Sequence, residues 1–126
     1  MNHRIPRLAI LSTGAALLAA CAAMTPAAPA TATDGALVGP NGMTLYTFDR
    51  DAGGKSMCNG QCAANWPPLL AAGSAAAAGM WTIVTRDDGA RQWAYQGKPV
   101  YYWVKDTKPG ERTGEGVNNV WHVARP

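Results

Sequence analysis

The chain has 126 residues, a formal net charge of +3 and three cysteines. That length is one domain's worth, and so small a charge excess supplies no basic field to argue for nucleic acid. The excess shrinks further if the N-terminal Arg4 and Arg7 are removed, leaving 9 Lys+Arg against 8 Asp+Glu.

Those two arginines precede Leu8 to Ala20, an uncharged run too short to span a bilayer comfortably. This is the layout of a secretory signal peptide over 1–20. The run ends in "LAAC", Leu18 to Cys21, which resembles a bacterial lipobox. The resemblance implies cleavage before Cys21 and acylation of its thiol and new amino group, so that the membrane is a partner. One acyl chain holds a protein only marginally, and two or more hold it stably. Ala22, not Asp, follows the cysteine. By resemblance to Gram-negative sorting rules this points to the outer membrane, facing the periplasm. Residues 21–34 are mostly Ala, Pro and Thr, a composition that cannot bury a core and reads as a flexible tether.

From residue 35 to 126 the pattern is β. "ALV" (36–38), "GPNG" (39–42) and "MTLYTF" (43–48) read as a hairpin. "CAANW" (62–66) is the best helical turn, stopped by Pro67 and Pro68. The Ala/Gly stretch 69–80 is a connector. "MWTIVT" (80–85), the turn "RDDG" (86–89), "RQWAY" (91–95), "QGK" (96–98) and "PVYYWV" (99–104) read as strand, turn, strand, turn, strand. The polar loop 106–119 suits a mobile ligand loop or a solvated connector, and its glycine spacing does not match a phosphate loop. "NNVWHV" (118–123) closes the chain as a last strand.

A shift of 55 residues, the separation of Tyr46 from Tyr101, lays the chain on itself without a gap. Gly42 meets Gly97, Phe48 meets Trp103, Asp51 meets Asp106 and Trp66 meets Trp121, with Arg50 on Lys105 as a similar pair. Two copies are too few for a solenoid. They predict an all-β single domain of two antiparallel hairpin-plus-strand repeats, about 37–70 and 92–125, sharing one aromatic core. Tyr46 and Phe48 share a strand face, as do Tyr101 and Trp103. Asp51 and Asp106 follow the strand ends, where a carboxylate can accept from turn N–H groups or a tyrosine hydroxyl. The rival reading sets the two aspartates near the pseudo-twofold axis as a cation or ligand site. A hydrolase using them is the weakest reading, because no His, Ser or Lys is tied to them.

The lipobox, the tether, the twice-written Tyr-x-[Phe/Trp/Tyr]-x-x-Asp, "CNGQCAANWPP" (58–68) and "VWHV" (120–123) together resemble the bacterial secreted-repeat lipoproteins with the Yx(FWY)xxD motif. The resemblance covers essentially the whole chain and implies an exported lipoprotein. It carries no catalytic residues.

Cys58 and Cys62 remain once Cys21 is acylated. In an oxidising compartment a three-residue gap on a helical turn permits a disulfide, worth about 2 kcal/mol in the chain-entropy account. The expectation is a non-enzymatic envelope-interaction or small-ligand-binding module without a cofactor. The alternative is a copper-binding or thiol redox protein using Cys58, Cys62 and His122. It suffers from the missing βαβ pattern and from His122, which alternates with Trp121 and Val123 and so points away from them.

Overall fold

Seven short strands, one α-helical turn and one 3-10 turn (Val117–Asn119) make up the protein over the residues that the computed structural model describes, 27–126 together with Ala9 and Gly14. The expected signal peptide, the acylated Cys21 and the first part of the tether lie outside the described residues. The strands are β1 (Thr31–Thr33), β2 (Ala36–Val38), β3 (Tyr46–Phe48), β4 (Trp81–Thr85), β5 (Arg91–Tyr95), β6 (Lys98–Tyr101) and β7 (Trp121–Val123), and the helix is α1 (Gln61–Asn65). A five-stranded antiparallel sheet runs β4-β5-β6-β3-β7, and β1 pairs with β2 beside it. The fold is all-β.

Turn chemistry sets the hairpins. Between β5 and β6, Gln96 and Gly97 both have positive φ, 49° and 81°, the two-residue turn whose twist suits a right-twisted ribbon. Asp34 and Gly35 repeat this between β1 and β2, at 49° and 75°. The end of the tether is thereby drawn into an exposed strand, β1, which composition had assigned to mobile chain. Two other segments differ from expectation. Residues 118–120 do not belong to the last strand, because Asn118 and Asn119 take left-handed φ of 53° and 58°, a conformation Asn tolerates. Residues 102–104 leave β6, although Tyr102 and Val104 still donate to the carbonyls of Pro67 and Asn65 at 2.7 and 3.1 Å.

The two copies are interlocked. The closing segment of the first copy lies along β6 of the second, through the Pro68–Tyr101 bridge and a 3.1 Å bond from Leu69 N to Val100 O. The closing strand of the second, β7, lies along β3 of the first, with Ala124 N bonded to Leu45 O at 2.8 Å. The same shift of 55 relates Leu69 to Ala124 and Val100 to Leu45. Tyr46 and Tyr101 face each other in the β3–β6 register, so the pseudo-twofold axis passes between them.

The predicted single core is two clusters, because alternate residues of the central strands are buried on opposite faces. One face carries Tyr46, Tyr101, Trp66, Trp121, Val123, Ala36 and Cys58. The other carries Leu45, Val100, Leu37, Leu69, Ala124, Trp81 and Trp93. On the first face Gly114 passes so close that a Cβ there would lie 2.8 Å from Tyr46 Cε1 and 2.9 Å from Trp66 Cη2. Gly114→Ala should therefore lower stability by about 1–3 kcal/mol, the cost of overpacking, in urea denaturation. Gly73→Ala, with no atom within 4 Å, should leave the midpoint unchanged. Equal midpoints for both variants would contradict the close approach.

Candidate functional site

The repeated aspartates sit where their strands turn. Asp51 N donates to Phe48 O and Asp106 N to Trp103 O, each at 3.0 Å. From these corners each carboxylate reaches into the other repeat. Tyr46 Oη donates to Asp106 Oδ2 at 2.5 Å, and Tyr101 Oη donates to Asp51 Oδ2 at 2.6 Å. The remaining oxygens are also engaged. Asp51 Oδ1 accepts from Met57 N at 2.7 Å, and Asp106 Oδ1 accepts from Thr113 N and Oγ1 at 3.0 and 2.6 Å. Burial, reinforced by the neighbouring carboxylate, pushes both phenols far above their ordinary range, so each tyrosine remains a donor. Burial also raises the Asp51 carboxyl, against the opposing bonds from Met57 and Tyr101. A carboxylate pair committed in this way holds the halves together.

The two ends of this arrangement are not alike. Tyr101 Oη also lies 2.6 Å from Ser56 Oγ, and Ser56 accepts from Arg86 Nη1 at 2.9 Å. Arg86 is 5% exposed. It donates further to Gln92 Oε1 at 2.8 Å and to Cys58 O at 2.6 Å, and Gln92 Nε2 donates to Val100 O at 2.9 Å. Sequence reading left Arg86 in the "RDDG" turn, because an arginine at a strand end looks solvated and nothing in its spacing marks it as buried. Among the described residues every buried side-chain polar atom has a partner.

Phe48 and Trp103 cap a column of rings. Phe48 stacks on Trp121 at 4.3 Å between centroids and 7° between planes. Trp121 stacks on Trp66 at 3.8 Å and 3°, and Trp66 on Trp103 at 4.0 Å and 24°. Tyr46 meets Trp66 edge-on at 5.4 Å, as Tyr101 meets Trp121 at 5.2 Å. Each such pair adds about 0.5–1.5 kcal/mol beyond its buried area. Cys58 and Cys62 are joined in a disulfide with Cα atoms 5.2 Å apart. Cys58 is fully buried in the same cluster and Cys62 packs half-buried against it. For copper to be held by Cys58, Cys62 and His122, this bond would first have to be reduced, since the ligand is the thiolate.

His122 lies on the other face of β7, opposite Thr47 of β3. Its Nε2 is 2.8 Å from Asp49 Oδ2 and its Nδ1 is 3.6 Å from Glu115 Oε1. Because the two carboxylates hold opposite ring nitrogens, the three groups do not converge on one point. Among the described residues no cluster of three or more His, Cys, Asp or Glu side chains is placed to hold a metal ion. The Asp49 hydrogen bond leads in raising the His122 pKa, with Glu115 assisting and partial burial opposing. A raised folded-state pKa means that the pairing stabilises below the unfolded value and is lost as pH rises through the folded one. At 43% side-chain exposure solvent screening keeps the effect small. Around His122 the second core stops short of the sheet end, leaving a cleft of about 390 Å³. Asp49 and Glu115 line it together with Lys98 and Arg125. Sequence reading singled out only His122 here, since the four charged residues come from separate segments of the chain.

Searches of curated proteins and of solved structures find no match. A family described as "Secreted repeat of unknown function" matches twice, at residues 28–70 and 82–125, each match beginning about ten residues before the repeat read from the shift of 55. The chain belongs to this family of exported repeat proteins.

Proposed function

We propose that this exported protein is a lipid-anchored binding module of the cell envelope whose ligand is a small zwitterion, taken in the cleft around His122. The observation that carries the reading is the division of polar groups. Asp51, Asp106 and Arg86 turn inward to hydrogen bonds that link strands and turns, whereas half-exposed Asp49 and Glu115, held by His122 and by the Val123 amide, join Lys98 and Arg125 in bringing both charge signs to one open cleft. A ligand carrying an ammonium and a carboxylate, such as an amino acid or short peptide, meets a counter-charge at each end. His122, opposite Thr47, has its two ring nitrogens turned to Asp49 and Glu115 rather than to the Thr47 hydroxyl, so the reading is one of binding. The anchor rests on the lipobox at Cys21, and outer-membrane placement on Ala22 following it.

Cys21→Ala should release the processed protein from the membrane fraction, and sedimentation of the processed variant with membranes would contradict the anchor. For the ligand, amino acids and dipeptides are titrated into labelled protein and followed by NMR. The expected result is shifts at Thr47, Gln96 and His122, with His122 titrating above the ordinary 6.5 and moving further on saturation. Asp49→Asn and Lys98→Ala should each weaken binding. Shifts confined to other surfaces, or none with any zwitterion, would overturn the assignment.

A further inference from the structure

The column of rings carries an inference that the binding reading does not touch. Four rings lie in succession at centroid separations of 4.3, 3.8 and 4.0 Å. Three are indoles, the side chains most readily oxidised by one electron after a tyrosine that can shed its proton. The two inner indoles each meet a tyrosine edge-on, and each tyrosine hydroxyl already points at a carboxylate oxygen 2.5–2.6 Å away. Burial keeps the phenols from ionising alone. An electron can therefore leave a tyrosine only if its proton crosses to the carboxylate with it.

Charge along the column has a direction. Lys105 Nζ stands 5.7 Å from the Trp103 ring centroid, and its repeat counterpart Arg50 shares a surface groove with Phe48. A cation disfavours an electron vacancy on the ring beside it, and a carboxylate favours one. The ends of the column thus repel positive charge and the middle, with Asp51 and Asp106, attracts it. Trp103 is half-buried, so its outer face is within reach of a reagent.

We propose that Trp103, Trp66 and Trp121 form a one-electron relay that ends at Tyr46 and Tyr101. A one-electron oxidant arriving at Trp103 takes one electron. The vacancy passes to Trp66 and Trp121 and is filled by an electron from Tyr46 or Tyr101. As that electron leaves, the phenolic O–H breaks and the proton bonds to Asp106 Oδ2 or Asp51 Oδ2. The products are a reduced oxidant, a neutral tyrosyl radical and a neutral carboxylic acid. A one-electron reductant such as ascorbate reverses both transfers.

The test uses the full-length chain in detergent, with ruthenium(III) trisbipyridine generated by a flash as the oxidant. Transient absorption and freeze-quench electron paramagnetic resonance read the radical. The relay predicts a neutral tyrosyl radical whose formation slows in deuterium oxide. Trp103→Phe should lose most of that signal while keeping the fold, because phenylalanine occupies the equivalent position at residue 48 and is far harder to oxidise. Trp93→Phe, in the other core cluster, should leave the signal intact. Equal loss in both variants would overturn the relay. So would a signal insensitive to Trp103→Phe, a radical resting on a tryptophan in the unsubstituted protein, or no radical beyond the rate of free amino acids.

Discussion

Two hydrogen bonds, each from a tyrosine of one repeat to an aspartate of the other, are what the rest of the structure depends on. A carboxylate accepting from a phenol is a charge-assisted bond, about twice as strong as a neutral one. Here the bond also crosses between halves related by a pseudo-twofold axis, so it is made twice. Each half lends its closing strand to the other at the same places. Neither half can bury its tyrosine or satisfy its carboxylate alone, and a domain this small has little other core to spend on separate folding. The Trp66–Trp121 stack sits on the axis and follows from the same exchange.

The commitment of polar groups inside leaves function to the ends and the outer face. Asp51, Asp106 and Arg86 direct their side chains to turn amides, hydroxyls and a backbone carbonyl of the protein itself. The cleft at His122 exists because the central strands alternate and the second core covers only part of its face. Thr47 and His122, paired across β3 and β7, line it. The disulfide belongs to the interior, tying the α1 turn beneath Trp66.

Much of this was legible in the sequence. Glycine, aromatics and aspartate at a constant offset reveal the duplication, and alternation separates His122 from Trp121 and Val123. The crossing was not legible, because an offset pairs equivalent residues and is silent about which copy's aspartate each tyrosine meets. Arg86 and Gly114 were missed for different reasons. Arginine at a turn carries the signature of a solvated residue, and a glycine in a polar loop looks like any other until the indole beneath it is known. Asp34-Gly35 is a strong hairpin signal that could have placed β1, but the Ala/Pro/Thr composition before it outweighed it. The Asn118-Asn119 pair ended the last strand early by local conformation, against a β-rich pattern. The partners of His122 lie 73 and 7 residues away in the chain and carry no motif.

The central claim is that the repeated motif works by exchange between halves, and a set of double-mutant cycles in chemical denaturation tests it directly. Tyr→Phe and Asp→Asn substitutions are combined across repeats, Tyr46 with Asp106 and Tyr101 with Asp51, and within repeats, Tyr46 with Asp51 and Tyr101 with Asp106. Contacting pairs couple by about 0.5–3 kcal/mol, while groups sharing no partner add to within about 0.5 kcal/mol. The account predicts coupling for the crossed pairs and additivity for the pairs inside each motif. Coupling inside the motifs with additivity across them would contradict it.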